Sequence, residues 1–465
     1  MRRAALVAVP VLLVAGCSGG HGASSAPGTG RTAAPAPARP PPDLTDRRPC
    51  RGARRFTCAK LRVPLDRAAP GGDQLRLRVA VEDVRRAPRG VLVVLSGGPG
   101  QPGVPFARRS RARLGAAARG YRLVLVDQRG TGAGALRCPA LQRAMGTSDL
   151  TPPPPAAVRD CARRLGPRRT HYTTADTVAD LDDLRAALSA PRLSLLGTSY
   201  GTLVAERYAL AHPDRTGRLV LDSVVPHAGV DATDPRPLRE VGRVLRALCA
   251  ARRCASDPAR DLAAVVARDG DGPALYDTLV ALSVGAPSFP GVLAALTAAR
   301  AGDREPLRRL VRDVRLAQRA PAGFLSQGLH EATLCAESRL PWPADARLAR
   351  RRAALRAAAA RLRPPDVAPF DVATAVGNGF VSSCLAWPPV PRPRRVAREL
   401  PRIPVLLLAG DRDLSTPLAW AREEAATASR GTLVVARGDG HGVLAQEPAG
   451  RVHRAVVRFL QRPDG

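Results

Sequence analysis

The residues around Ser199 are the clearest candidates for chemistry in this sequence. They form the pentapeptide Gly197-Thr198-Ser199-Tyr200-Gly201, which follows a short apolar stretch and precedes a segment with helical periodicity. A sharp turn from strand to helix exposes a serine hydroxyl, and glycines on either side give that turn steric room. A second Gly-x-Ser-x-Gly match at residues 16–20 lies in an N-terminal targeting segment. The local setting therefore predicts Ser199 as a nucleophile.

A glycine-rich loop after an earlier predicted strand could stabilise negative charge. It reads Ser96-Gly97-Gly98-Pro99-Gly100. A backbone amide in such a loop, paired with the amide of the residue after the nucleophile, can hold a developing oxyanion. We therefore predict that the amides of Gly98 and Tyr200 form an oxyanion hole. A plain glycine-rich turn is the alternative for this loop.

The acid and the base that would assist Ser199 are expected later in the chain, in the order serine, acid, histidine. Only His441 and His453 lie beyond the last predicted strands. His441 stands in a glycine-rich loop, whereas His453 falls within the closing helix, so we predict His441 as the base. Asp411 and Asp413 both follow a predicted strand and are both candidates for the acid.

Cofactor and metal chemistry have little support. Gly130–Ala135 formally matches a dinucleotide fingerprint, but it starts no clear helix, and no acidic residue ends a second strand about 20 residues later. The cysteines lack Cys-x-x-Cys spacing and the seven histidines are dispersed. We expect neither a cofactor nor a metal site.

The elements that must position these residues alternate short β-branched stretches with helical periodicity, which is typical of a mostly parallel sheet flanked by helices, an α/β fold. The predicted strands are Leu75–Val81, Val91–Leu95, Arg122–Val126, Leu193–Leu196, Arg218–Leu221, Pro404–Leu408 and Thr432–Ala436. The periodicity predicts amphipathic helices at Asp176–Ser189 and Arg451–Leu460.

A change of pattern divides the chain. From about His227 to Arg398 the strand signals disappear, and Ala/Leu/Arg-rich stretches such as Pro237–Ala251 and Ala344–Leu362 predict helices. We therefore predict a helical cap at residues 227–398, inserted between the two parts of the sheet domain at 46–226 and 399–465. Thr151–Pro155 is predicted to be a rigid loop.

The N-terminus has the features of an export signal. Arg2 and Arg3 precede a short apolar stretch, and Val14-Ala15-Gly16-Cys17 resembles a bacterial lipobox. This resemblance implies a signal peptide at residues 1–16 and lipid attachment at Cys17, which would place the protein on the outer face of the cell membrane. An ordinary secretory signal is the alternative. Residues 17–45, rich in Gly, Ser, Ala and Pro, predict a flexible tether.

Eight cysteines remain after Cys17, an even number that suggests four disulfides in an oxidising compartment. Sequence alone leaves the connectivity open. Proximity along the chain favours the pairs Cys50–Cys58, Cys138–Cys161, Cys249–Cys254 and Cys335–Cys384.

The formal net charge of +32 first suggests a nucleic-acid partner. However, the 72 basic residues include a single lysine, Lys60, and the arginines are scattered singly and in pairs. No aromatic residues are interleaved with them on which bases could stack. An arginine-rich, well-solvated surface is therefore the favoured interpretation.

Several motifs in order resemble the exported α/β-hydrolase-fold tripeptidyl aminopeptidases and the related proline iminopeptidases. They are Val63–Asp66, Gly97–Gly100, Asp127–Gly132, Tyr172–Thr174 with Asp180, Gly197–Gly201, Cys335, Asp413–Pro417 and Gly440–Gly442. In that family the acid precedes the Thr-Pro pair, which favours Asp413 over Asp411. The resemblance covers the chain from about Arg47 onward and implies an α/β-hydrolase fold with a helical cap.

The resemblance also implies a function, namely a serine exopeptidase that releases short peptides from free N-termini. Such an enzyme needs an anion for the substrate ammonium, and Glu337, beside Cys335, is the candidate. A surface salt bridge with one of the many arginines is the alternative for Glu337. An esterase or amidase of the same fold, or a non-catalytic binding protein, is an alternative for the whole chain.

Overall fold

A nine-stranded sheet forms the centre of the computed structural model, which describes residues 42–252, 254–391, 396–446 and 450–463. The strands are β1 (Leu44–Pro49), β2 (Phe56–Pro64), β3 (Gln74–Glu82), β4 (Val91–Leu95), β5 (Arg122–Val126), β6 (Leu193–Thr198), β7 (Thr216–Asp222), β8 (Val405–Gly410) and β9 (Gly431–Ala436). Their order is β1-β2-β3-β5-β4-β6-β7-β8-β9. The six strands from β5 to β9 in this order are parallel, and β1, β2 and β3 add an antiparallel edge.

The central strands read as continuous apolar stretches because both of their faces are covered. Every residue of β8 is buried, as are five of the six residues of β6. This is the composition expected of a parallel sheet between two helical layers. The predicted α/β class with a mostly parallel sheet is confirmed.

The helices follow in chain order. They are α1 (Ala107–Leu114), α2 (Pro139–Met145), α3 (Pro155–Leu165), α4 (Thr174–Ala187), α5 (Tyr200–Ala211), α6 (Arg236–Arg252), α7 (Pro258–Asp269), α8 (Gly272–Gly285), α9 (Val292–Arg300), α10 (Glu305–Ala317), α11 (Gln327–Glu337), α12 (Leu348–Ala359), α13 (Pro364–Val367), α14 (Val372–Gly377), α15 (Gly379–Ala386), α16 (Leu418–Thr427), α17 (Val443–Gln446) and α18 (Arg451–Gln461). Short 3₁₀ turns cover Val104–Phe106, Gly115–Ala118, Gly132–Gly134, Gly166–His171 and Pro213–Arg215.

Two apolar cores lie on opposite faces of the sheet. On one face α4, α5 and α16 bury residues such as Leu181 and Leu203 against the strands. On the other face α1 and α18 do the same with residues such as Leu114 and Val456. Full burial of one such side chain contributes about 1.5–3 kcal/mol, so these two layers fix the strand ends that carry the site.

The seven predicted strands all form, and their bounds shift by at most two residues. β1 and β2 were not predicted. Five of the six residues of β1 are exposed, and β2 carries Lys60 and Arg62, so neither has the apolar signal of a central strand. β1 also begins at Leu44, inside the segment predicted as tether.

Two helix predictions need correction at their ends. α4 starts at Thr174 rather than Asp176, because the Thr173 hydroxyl and the Asp176 carboxylate form a reciprocal capping box. α12 covers Leu348–Ala359 rather than 344–362. The residues before it form a turn, in which the Ala346 amide donates to the Pro343 carbonyl. Pro155, predicted as loop, is the first residue of α3, a position that favours proline.

Residues 227–398, predicted as a helical insertion, contain the ten helices α6 to α15 and no strand among the residues that the structure describes. Two further apolar clusters lie in this region. One joins α6 to α9 around residues such as Leu262 and Phe289. The other surrounds Trp342 and Trp387 and includes residues of α2 and α3, so it joins the insertion to the sheet domain.

The cysteines join as Cys50–Cys58, Cys138–Cys161, Cys249–Cys254 and Cys335–Cys384, the pairs that proximity favours. The last of these links α11 to α15 within the cap. The predicted signal peptide, Cys17 and nearly all of the tether lie outside the described residues. Within the described part of the chain, no helix is long and apolar enough to span a bilayer.

Candidate active site

Ser199 lies at the sharp turn between β6 and α5. Its backbone has φ 56° and ψ −129°, a left-handed conformation that costs a non-glycine residue about 1–3 kcal/mol. The Ser199 amide donates to the Asp222 carbonyl at 2.9 Å, which fixes the turn against the end of β7.

The glycines around Ser199 are required because backbone segments approach closely. A Cβ on Gly197 would lie 2.2 Å from the Gly201 carbonyl oxygen, and one on Gly201 would lie 2.5 Å from the Leu95 carbonyl oxygen. A Cβ on Gly97 would come within 2.8 Å of the Ser199 Cβ. The glycine-rich loop after β4 therefore packs directly against the serine.

This loop is fixed at both ends by the segment Asp127–Gln128. Asp127 Oδ1 accepts from the Val104 amide at 2.8 Å, and Gln128 Nε2 donates to the Ser96 carbonyl at 2.9 Å. The adjacent Arg129 is fully buried and pairs with Asp180 through two hydrogen bonds of 2.7 and 2.8 Å. The three residues directly before the motif that formally matched a dinucleotide fingerprint thus support the loop carrying Gly98.

The cap also holds this loop. The Ser326 amide, just before α11, donates to the Gly100 carbonyl at 3.1 Å. His330 Nδ1, on the first turn of α11, lies 3.0 Å from the Pro99 carbonyl oxygen. Burial lowers the pKa of His330, so its neutral form donates this hydrogen bond. Gly98, with φ 106°, lies between the elements that fix its neighbours.

His441 and Asp413 contact each other across the ends of β8 and β9. His441 Nδ1 lies 2.9 Å from Asp413 Oδ2, and both side chains are largely buried. Asp413 also accepts from the amides of Ser415 and Thr416 at 2.9 Å and from the Thr416 hydroxyl at 2.7 Å. Asp413 is therefore held as a carboxylate directed at the imidazole.

The charges of this pair stabilise each other. Burial alone would raise the pKa of Asp413, but His441 and the Thr416 hydrogen bonds hold that pKa below its ordinary value. Burial alone would lower the pKa of His441, but the Asp413 carboxylate raises it, with smaller contributions from Asp222 and Asp149. A protonated His441 is therefore favoured next to Asp413, as a general base requires after it accepts a proton.

Asp411, the alternative acid, lies elsewhere. Its Oδ1 accepts from the Gly438 amide at 2.7 Å and so closes the turn before the histidine loop. The structure thus places Asp413, and not Asp411, against His441.

Asp222 is a component that the sequence reasoning missed. It is buried at the end of β7, where Oδ1 accepts from the Val443 amide at 2.9 Å and Oδ2 from the Leu444 amide at 3.1 Å. These amides directly follow the His441 loop. Burial raises the pKa of Asp222 to about 6, against these two hydrogen bonds. Its position at the carboxyl end of a predicted parallel strand was the signal that could have indicated it.

One pocket collects most of the predicted site residues. Ser199, Gly98, Tyr200 and Glu337 all line it. So does Thr416, which contacts both Asp413 and His441 and thereby connects that pair to the pocket. The residues predicted separately from four loops and from the segment that forms α11 therefore belong to a single region at the carboxyl edge of the sheet.

Glu337 is buried at the end of α11, so the alternative of a surface salt bridge is wrong. Its Oε1 accepts from the Thr174 amide at 2.8 Å. Its Oε2 is buried and has no hydrogen-bond partner among the described residues. Burial raises the pKa of Glu337, although the Thr174 amide and Arg207 oppose that effect. Glu337, which lines the pocket, therefore has one carboxylate oxygen without a hydrogen bond from any described residue.

Family comparison agrees with this architecture. Residues 90–448 match the family model described as alpha/beta hydrolase fold. The chain belongs to this family.

Three relatives are informative. The chain is 35% identical over 188 residues to a tripeptidyl aminopeptidase of Streptomyces coelicolor, a match that covers 36% of this chain and 35% of the relative. It is 32% identical over 188 residues to a probable proline iminopeptidase of the same organism, covering 40% and 46%. It is 29% identical over 192 residues to the serine protease Hip1 of Mycobacterium tuberculosis, covering 36% of each.

The matched region spans about a third of the length of the first of these relatives. The resemblance inferred from the motifs is confirmed by the names of these proteins. The whole activity of this chain is a matter for proposal.

The position of Asp222 leads to a prediction for Asp222→Asn. Asparagine can accept only one of the two amide hydrogen bonds, so the His441 loop should shift, and a displacement of about 1 Å can reduce turnover about 100-fold. Because the Asp222 charge raises the pKa of His441, its removal should also move the acidic limb of the rate profile to lower pH. The pH dependence of hydrolysis of a simple activated ester measures both effects.

Asp411→Asn is the matched control, since Asp411 also holds this loop through a backbone amide. It should leave the acidic limb in its wild-type position. The role given to Asp222 would be contradicted if the acidic limb of the rate profile moved to higher pH in Asp222→Asn. It would also be contradicted if the limb moved by the same amount in both variants.

Proposed function

We propose that this protein is an exported serine exopeptidase that releases short peptides from free N-termini. The observation that carries the proposal is the pocket itself, which is lined by both Ser199 and Glu337, a buried carboxylate with one oxygen that lacks a hydrogen bond from any described residue. A nucleophile and a fixed anion in one pocket suit a substrate that has an ammonium group near its scissile bond. The named peptidase relatives support the same reaction class.

In this proposal Ser199, His441 and Asp413 act as one unit. His441 accepts the Ser199 proton as the hydroxyl attacks the scissile carbonyl, and later gives that proton to the leaving amine. Asp413 accepts from His441 Nδ1, which fixes the tautomer and stabilises the imidazolium. Water then releases the acyl-enzyme through the same base.

The oxyanion formed in each step is assigned to the amides of Gly98 and Tyr200. The Tyr200 amide is at the first position of α5, where backbone N–H groups have no partner within the helix and the helix dipole favours negative charge. Gly98 is positioned by the contacts of Asp127, Gln128, Ser326 and His330 with the rest of its loop. Fixed donors of this kind need no reorganisation in the transition state.

Glu337 is assigned to the substrate ammonium. Glu337 lies on the same cap helix, α11, as His330, which contacts the glycine-rich loop through the Pro99 carbonyl. The Cys335–Cys384 disulfide two residues before Glu337 holds this end of the helix. We infer that the cap restricts entry to chain ends, because an internal peptide segment offers no ammonium to pair with Glu337.

Substitution of the three proposed catalytic residues tests the reaction class. Ser199→Ala and His441→Ala should each reduce turnover about a million-fold, because the two act as a unit. Asp413→Asn should cost about ten-thousand-fold through loss of the correct tautomer. Rates on a panel of aminoacyl- to tripeptidyl-anilides and short-chain esters, with circular dichroism as the check on folding, measure these effects.

Asp411→Asn is the control in this series and should retain most activity. Inactivation by Asp411→Asn with an active Asp413→Asn would show that the acid is assigned wrongly. Hydrolysis of esters without any hydrolysis of peptide anilides would favour an esterase. Failure of Ser199 to react with a fluorophosphonate would favour a non-catalytic binding protein.

Glu337→Gln tests how the amine is recognised. Loss of a buried charge partner should lower kcat/KM for free-amine peptides by about 30-fold or more, while N-acetylated peptides and simple esters should be affected far less. Steady-state kinetics on matched blocked and unblocked anilides measure this difference.

Glu331→Gln is the matched control, because Glu331 is a buried carboxyl on the same helix that does not line the pocket. Burial raises its pKa to about 8, so it is already neutral near pH 7 and glutamine should replace it with little effect. Equal losses on blocked and unblocked peptides in Glu337→Gln would mean that Glu337 has a structural role only.

We also propose export with lipid attachment at Cys17. The four disulfides support an oxidising, extracytoplasmic location. The mature protein should begin at an acylated Cys17 and partition into detergent, and Cys17→Ser should release it into the aqueous phase. Ser18→Ala, next to the lipobox, should keep the wild-type partition. If mass spectrometry finds an unmodified N-terminus located after Cys17, the proposal of a lipid anchor is wrong.

A further inference from the structure

The pocket that contains Ser199 has a charge opposite to that of the chain as a whole. Its lining includes four carboxylates and no Arg, Lys or His side chain. The carboxylates belong to Asp149, Asp231, Asp234 and Glu337. In a chain with 72 basic and 40 acidic residues, this arrangement is a local reversal of the general composition. Such a pocket attracts cations and disfavours anions.

Two of these carboxylates are already engaged with the protein. Asp231 accepts from the Thr233 amide and hydroxyl, both at 2.9 Å. Asp234 pairs with Arg236 at 2.8 Å and lies 3.5 Å from Trp420 Nε1. Asp231 is engaged through Oδ1 alone, whereas Asp234 forms an ion pair with Arg236.

The other two are free to bind. Glu337 leaves one buried oxygen without a partner. The half-buried Asp149 carboxylate forms no hydrogen bond or ion pair with any residue that the structure describes. Its charge contributes to the raised pKa of His441 and partly opposes the lowering of the His330 pKa by burial. The pocket therefore has two separate unpaired anions, of which the substrate ammonium can neutralise only one.

The backbone around Asp149 is held in place. The Ser148 hydroxyl donates to Asp277 at 2.6 Å and accepts from the Leu150 amide at 3.0 Å. The Leu150 carbonyl accepts from the Gly379 amide at 2.7 Å, which connects this segment to the cap helix α15. Asp149 is thus presented by a fixed segment, and such preorganisation lowers the entropy cost of binding a partner.

We propose that Asp149 is a specificity-determining residue that binds a basic side chain, Lys or Arg, of the peptide whose N-terminal ammonium pairs with Glu337. The proposal rests on the exopeptidase function given above and names its substrate class. Preferred substrates carry two positive charges, one at the amine and one on a side chain close to it. A lysine or arginine in this position gains a charge-assisted hydrogen bond in a partly desolvated pocket.

Matched peptide anilides test this directly. Each pair has the same length and differs at one position, where one peptide has lysine and the other norleucine, which keeps the aliphatic chain and lacks the charge. The wild-type protein should prefer lysine by about tenfold or more in kcat/KM at one position. In Asp149→Asn this ratio should fall towards one, and the loss should be larger at low than at high ionic strength.

Asp231→Asn is the matched control, since it removes a charge from the same pocket at a residue already engaged by Thr233. It should retain the wild-type ratio of lysine to norleucine. A thermal melt of Asp149→Asn should lie close to that of the wild type, because the carboxylate forms no hydrogen bond or ion pair with the described residues that the substitution would remove. If the lysine-to-norleucine ratio of kcat/KM falls equally in both variants, the assignment to Asp149 is wrong. The general negative potential of the pocket would then account for the preference.

The same assay separates failure of this inference from failure of the proposed function. If neutral peptides are cleaved and no position shows a lysine preference, the exopeptidase proposal stands and the role of Asp149 is wrong. If no peptide is cleaved while Ser199 still reacts with a fluorophosphonate and esters are hydrolysed, the exopeptidase proposal itself is wrong.

Discussion

Asp222 joins the two loops on which the site depends. Its carbonyl accepts from the Ser199 amide, and its carboxylate accepts from the Val443 and Leu444 amides that follow His441. Burial of this carboxylate would cost free energy if the two hydrogen bonds were absent. Without the carboxylate, in turn, these hydrogen bonds would not hold the two loops together. One residue at the end of β7 therefore sets the position of the proposed nucleophile relative to its base.

The same principle applies to the glycine-rich loop. A buried Arg129–Asp180 pair anchors the segment whose Asp127 and Gln128 hold the ends of that loop, and the cap supplies Ser326 and His330 to hold its middle. Breaking such a buried pair typically costs about 3–5 kcal/mol, since one charge is then left unpaired. The cap thus has two connected roles, to enclose the pocket and to fix the backbone that the chemistry needs.

The pocket is lined by acidic and not by basic side chains, in contrast to the chain as a whole. The pocket carries four carboxylates in a strongly basic chain. Thr233 holds one oxygen of Asp231 and Arg236 pairs with Asp234, while one oxygen of Glu337 has no hydrogen-bond partner among the described residues. An unpaired buried carboxylate is unfavourable, and a cationic substrate relieves that cost when it binds. Under the proposed function, the cost of burying these carboxylates would thereby contribute to selectivity for positively charged peptide ends.

The sequence by itself determined the central strands, the turn at Ser199, the glycine loop and the order of serine, acid and histidine, because these depend on local apolar patterns and on glycines at tight turns. It did not indicate β1 and β2, whose exposed or charged residues give little apolar signal. Only the tertiary structure placed Asp413 against His441 and Asp411 in a turn, since both follow β8 within three residues and their environments differ. The roles proposed for Asp222 and Glu337 also rest on the tertiary structure. Their burial and their partners come from segments far apart in the chain, and long-range packing of this kind leaves no local pattern to read.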